Sequence, residues 1–100
     1  MDDQFDLAFS EEANKEMAEL KNDPAKSTIA KAVIKSLKYM AIDLKHPSLN
    51  THKYAAIKGP HGEEEFESYA QNNTPGAYRI FWHYGEQKKQ ITILKIIPHP

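Results

Sequence analysis

The side chains best suited to chemistry lie in the last third of the chain: Glu67, Arg79, His83 and His99. A guanidinium is planar, remains charged and offers paired donors that fit a phosphate. An imidazole titrates near neutral pH, so it can give or take a proton. Together these are what cleavage of an RNA phosphodiester requires: charge stabilisation at the phosphate and acid or base assistance. Glu67 has two readings, a general base or a structural ion-pair partner for Arg79 on a neighbouring strand. Other chemistries find less support. There is no cysteine, and His46, His52, His61, His83 and His99 lack the tight spacing of metal ligands, so no metal and no cofactor is expected. No glycine-rich phosphate cradle is present.

The elements that must position these residues are two apolar runs. Residues 77–84 read AYRIFWHY and residues 91–97 read ITILKII, compositions that suit a pleated, half-buried surface. The polar GEQKKQ between them predicts an antiparallel hairpin. Side chains alternate along a strand, so Arg79, Phe81 and His83 share one face. Tyr78, Ile80, Trp82 and Tyr84 share the other, which is more apolar and is assigned to the helix-covered core. Arg79 and His83 are thereby expected on an open face, with Phe81 offering a ring on which an unpaired base can stack. A one-residue shift of the hairpin decides whether Lys95 joins them. His99 follows the second strand, within reach of the same groove.

Earlier in the chain, Phe5, Leu7 and Phe9 alternate with Asp6 and Ala8, the period of a short strand. Ser10 is a good N-cap, and Ala13, Met17 and Leu20 recur at helical spacing up to about Asn22. Asp23-Pro24 opens a second helix, in which Ile29, Val33, Leu37, Met40, Ala41 and Leu44 form a stripe. That helix is expected to reach about Lys45, where His46-Pro47 stops it. Residues 46–65 are the least regular part, with Tyr54 and Ile57 as expected anchors. Phe66–Gln71 reads as a further strand, followed by the turn-rich NNTPG. Strands and helices are segregated rather than alternating, which predicts an α+β domain spanning residues 1–100. The expected architecture is an N-terminal strand, a helical hairpin, then a three- to four-stranded largely antiparallel sheet.

The 100 residues carry a net charge of −1, unevenly spread. Residues 24–58 hold seven lysines against Asp43 alone, a balance that suits a polyanion or an acidic protein partner. No apolar run approaches membrane-spanning length, and MDDQFD lacks a secretory pattern. A soluble, cytoplasmic protein is expected.

The layout resembles the RelE/ParE superfamily of bacterial type II toxin–antitoxin toxins. The likeness runs through the short first strand, the helical hairpin, the Ile57-Lys58-Gly59 turn and the strand Tyr78-Arg79-Ile80-Phe81-Trp82. It ends with Ile91–Ile97 and the polar His99 beyond. For the RelE-like branch the resemblance implies an endoribonuclease that cuts messenger RNA on the ribosome and inhibits translation. A cognate antitoxin would silence it. Arg79 would then stabilise the phosphate at the cut and His99 would carry catalysis, with Lys53, Lys58, Lys88 and Lys89 contacting phosphates. The chain departs from the pattern in several ways, among them the lack of the C-terminal tail tyrosine that some members carry. Glu67 stands on a strand where several members carry basic residues. Ala55 and Ala56 stand where some place a glutamate. The pI is about 6.5, whereas ribosome-binding toxins tend to be basic. The alternatives are a ParE-like inhibitor of DNA gyrase without nuclease activity and a non-toxic homologue that binds an antitoxin.

Overall fold

The computed structural model describes residues 4–58, 61–72 and 75–99, and for 55–58 the backbone alone. The elements run β1 (Asp6–Phe9), α1 (Glu11–Asn22), α2 (Ser27–Ile42), β2 (His52–Lys58), β3 (Glu64–Tyr69), β4 (Tyr78–Tyr84) and β5 (Gln90–Pro98). The strands form one sheet in the order β1-β5-β4-β3-β2. β1 lies parallel to β5 and the other neighbours are antiparallel. The α+β architecture is the one expected. None of the described helices is long and apolar enough to cross a membrane.

The helices cover one face of the sheet. Ala13, Met17 and Leu20 of α1 and Ala30, Val33, Leu37 and Met40 of α2 pack with Ile80, Trp82, Ile91, Ile93 and Ile96. Each large apolar side chain buried here contributes roughly 1.5–3 kcal/mol relative to leaving it exposed. A polar chain runs beside the core. The Trp82 indole donates to Ser68 Oγ at 2.9 Å, and Ser68 and Thr51 share a hydrogen bond of 2.8 Å. An indole N–H without such a partner would make Trp82 costly to bury.

α1 also closes an edge of the sheet. β1 is short and its last partner on β5 is Ile93. Beyond that point no strand among the described residues lies beside the outer edge of β5, and its backbone groups need other partners. A β-bulge between Phe81 and Trp82 leaves Leu94 without a partner on β4. Ser10 Oγ donates to the Leu94 carbonyl at 2.9 Å while also capping α1 by accepting from Ala13 N at 3.0 Å. Two residues on, the Ile96 N–H donates to Glu16 Oε1 at 2.7 Å.

The differences from expectation have local causes. α2 ends at Ile42 rather than near Lys45: the Asp43 N–H makes the last helical hydrogen bond, to the Tyr39 carbonyl at 2.6 Å, but its own backbone, at φ −155° and ψ 78°, has left the helical conformation. The chain then makes a 3-10 turn, Pro47–Leu49, that drives Leu49 into the core. The segment read as irregular contains β2, an edge strand that pairs with β3 alone. Tyr54 does anchor it, edge-on to Phe81 at 5.1 Å between ring centroids; the Ile57 side chain and Gly59 lie outside the described residues. Tyr84 keeps its face but is 49% exposed, because the helices stop short of it. With Phe5, Ile42, Leu44, Phe66 and Trp82 it lines a cleft of about 700 Å³ at the end of α2.

Burial lifts the Glu16 carboxyl above its ordinary value of 4.5, and neighbouring Glu12 adds to the rise, while the Ile96 N–H opposes it. A raised folded-state value means that the fold favours the protonated acid. The associated stability is present at low pH and is lost as pH rises through the raised value. Glu16→Gln keeps an acceptor for Ile96 without a charge to desolvate, so it should remove this part of the pH dependence. At pH 7 it should be at least as stable as the parent. Glu16→Leu leaves the Ile96 N–H unpaired and should lose about 1–3 kcal/mol. Urea denaturation from pH 4 to pH 7 measures both.

Candidate functional site on the open face

The register of the three central strands assembles the site. Tyr69 lies opposite Arg79, and Glu67 opposite Phe81. Ile97 flanks Arg79 from β5, and Lys95 lies opposite Phe81. His52 lies opposite Glu67 from β2. Directly opposed side chains share a face, so all of these project from the side away from the helices. The hairpin register therefore puts Lys95 on the open face. His99 is held just past β5, where its backbone N–H donates to the Ala77 carbonyl at 2.8 Å.

Glu67 is the centre of the group. Its Oε1 lies 2.7 Å from His52 Nε2. Its Oε2 lies 3.6 Å from both Arg79 Nε and His99 Nδ1. The carboxylate side chain is 4% exposed, whereas the two imidazoles are 45% and 46% exposed. Arg79 donates through Nη1 to the carbonyls of Gln71 and Tyr78, each at 3.2 Å. Its guanidinium carbon sits 3.6 Å from the centre of the Tyr69 ring, a cation–π contact. These partners are what a buried guanidinium needs, since an isolated charge is very costly to desolvate.

Arg79 projects from the uncovered face as predicted, but it is 1% exposed. Tyr69 stacks on it and Glu67 neutralises it, so the sheet's own side chains close over the cation. Phe81 is also buried, under Tyr54, and offers no exposed ring for a base. His83 shares the face but stands four residues from Arg79, about 13 Å along the strand. It is buried, with Nδ1 2.8 Å from the Tyr84 carbonyl, and it does not touch the cluster.

The lysines separate. Lys53 lies opposite Phe66, hence on the helix side, where it pairs with Glu64 at 3.1 Å. Lys88 and Lys89 sit in the β4–β5 turn, beyond Tyr84 and at least about 17 Å along the strand from Arg79. Lys89 lies over the Phe5 ring at 5.3 Å. Lys95 is exposed on the face that carries Arg79. The Lys58 side chain lies outside the described residues. Among the described residues no three His, Asp or Glu side chains are grouped so that they could hold a metal ion.

The residue that sequence reasoning missed is His52. Its signal was cross-strand and depended on recognising β2 as a strand. The resulting arrangement is a buried carboxylate touched by two half-exposed imidazoles, with a guanidinium behind it. It can move protons at a ligand on this face and offer positive charge to an anion.

Removing one member of a buried ion pair strands the other. Glu67→Met alone should therefore lower the unfolding free energy by about 3–5 kcal/mol. Glu67→Met with Arg79→Met should cost clearly less than the sum of the two single changes. Chemical denaturation of the four proteins measures the coupling, and additive losses would mean that the two groups do not interact.

No family model matches the chain, and no curated protein matches it. Solved structures do. The YoeB dimer from Staphylococcus aureus is 13% identical, with a TM-score of 0.62 over 97% of this chain and 99% of that one. A YoeB/ParE toxin from Agrobacterium tumefaciens is 7% identical, with a TM-score of 0.64 over 96% and 100%. The archaeal RelE in the RelE–RelB complex from Pyrococcus horikoshii OT3 is 14% identical, with a TM-score of 0.63 over 95% and 94%. Near-complete coverage in both directions, at identities this low, is a likeness of fold: the chain has the fold shared by the YoeB, ParE and RelE proteins.

Proposed function

We propose that the protein is the toxin of a type II toxin–antitoxin module and that it cleaves messenger RNA on the ribosome. One observation carries this reading: Glu67, Arg79, His52 and His99 meet on the uncovered face of a sheet built like those of YoeB and RelE. The chemistry asked of them is modest. A ribose 2′-oxygen loses its proton and bonds to the adjacent phosphorus, the bond to the 5′-oxygen breaks, and that oxygen gains a proton. The products are a 2′,3′-cyclic phosphate and a 5′-hydroxyl, and the step needs acid–base groups and positive charge alone. His99 is the exposed acid–base group, Glu67 the carboxylate 3.6 Å from its ring and Lys95 the exposed phosphate contact. Arg79 contributes charge from behind Glu67, where low polarity lets it act over a longer distance than in water.

A partner protein belongs to the same proposal. The archaeal RelE structure is a complex with RelB. An antitoxin segment with acidic residues would suit the Lys31, Lys35 and Lys38 side of α2, and the module would work in the cytoplasm.

A second reading has its own observation. Arg79 is 1% exposed and neutralised by Glu67, which suits a protein that keeps the fold without cutting RNA. Inhibition of DNA gyrase, or antitoxin binding alone, would need no open guanidinium.

Induction without antitoxin should arrest growth and leave new 5′ ends within coding regions. His99→Ala, at an exposed position, should fold normally and lower cleavage by about 10²–10⁴-fold. Arrest with intact transcripts and inhibited supercoiling would favour the gyrase reading. Growth without arrest would favour the non-toxic one.

A further inference from the structure

We infer that His52 is a positioning residue, one that holds Glu67 in place for His99 and shares a proton with it. The inference rests on the nuclease reading above.

His52 is fixed at both ring nitrogens. Nδ1 is 2.8 Å from the Asn50 carbonyl, and Nε2 is 2.7 Å from Glu67 Oε1. Asn50 is itself held in an unusual backbone state, with φ of 44° at the end of the Pro47–Leu49 turn, its N–H bonded to the Pro47 carbonyl. A carbonyl oxygen only accepts, so Nδ1 must carry a proton. Nε2 then has two options. It donates to an ionised Glu67, or it accepts from a protonated one. Either way the hydrogen bond joins Nε2 to Oε1. Moving the proton breaks one bond, Nε2–H, and forms one, Oε1–H, and the two charges cancel. No other reagent takes part.

His99 is held differently. Its ring is 3.6 Å from Glu67 Oε2, beyond hydrogen-bond range, and among the described residues no hydrogen bond fixes it. One carboxylate thus touches a fastened imidazole and an adjustable one. The fastened ring sets where Glu67 points, and the adjustable ring remains available to substrate. Glu67 is 4% exposed, and His52, hydrogen-bonded to it and 45% exposed, links it to water.

The ionisable groups facing Glu67 come from every neighbouring element. They are His52 and Tyr54 on β2, Glu65 and Tyr69 on β3, Arg79 and His83 on β4, Lys95 on β5 and His99 beyond it. Of these, His52, Arg79 and His99 approach its carboxylate oxygens most closely, at 2.7, 3.6 and 3.6 Å.

The test compares wild type, His52→Phe and His52→Gln in cleavage of ribosome-bound mRNA, with ring nitrogen NMR on the same proteins. His52→Phe should lower kcat on the order of 10²-fold with KM unchanged, the cost of a misplaced catalytic group. His52→Gln can still donate to Glu67 and should recover most of kcat. It cannot titrate, so its pH–rate profile should differ in shape from wild type. In His52→Phe the His99 ring signals should move, although the two rings are joined only through Glu67. Wild-type cleavage with an unchanged His52→Phe would overturn this inference alone. Failure of the wild type to cleave would overturn the nuclease reading and this role with it. A Gln variant as impaired as Phe, or His99 signals unmoved in the Phe variant, would also overturn it.

Discussion

The constraint on which this structure depends is the desolvation of one charge. A guanidinium in the middle strand of a sheet must be paired, hydrogen-bonded and stacked if it is not to face water. Arg79 has all three: Glu67 across the strand pair, two backbone carbonyls, and the Tyr69 ring. Satisfying it recruits β3, whose register presents Glu67 and Tyr69 together. Satisfying Glu67 in turn recruits His52 from β2 and brings it near His99 beyond β5. The cluster draws on all four antiparallel strands, so a slip of one strand would break it.

The opposite face solves a different problem. There the helices bury Trp82 and the isoleucines, and α1 supplies hydrogen-bond partners to the β5 edge that β1 is too short to reach. Structure is concentrated on one side and ionisable chemistry on the other. The helical layer fixes the sheet rigidly, which is what a site made of strand side chains needs to keep its geometry. The cleft beside Tyr84 and Ile42 lies on the helical side, away from the ionisable cluster.

Much of the architecture was legible because it follows local rules. Ser10 announces the start of α1, whereas Asp23 caps a 3-10 turn, Pro24–Lys26, ahead of α2 rather than α2 itself, and the Ala13-Met17-Leu20 and Val33-Leu37-Met40 spacings mark the buried stripes. Alternation in β4 separates Arg79 from Ile80 and Trp82 correctly. What was not legible depends on distant residues. β2 reads HKYAAIK, without alternation, and becomes a strand by pairing with β3. That concealed His52. The burial of Arg79 is set by Tyr69 and Glu67 on another strand, so no inspection of β4 reveals it. Tyr84 follows the period of its strand, but its exposure is decided by where α2 stops. Lys53, Lys88 and Lys89 were grouped by charge, whereas strand face and hairpin geometry separate them from Arg79.

RNA should react on the sheet face that carries Glu67. A crystal structure of the protein with a short RNA, blocked by a 2′-methoxy group at the cut, shows where it binds. The scissile phosphate is expected on the open face, within hydrogen-bond distance of His99 and beside Lys95. An RNA bound instead along the helices or in the cleft by Tyr84, with no contact to His99, would contradict it.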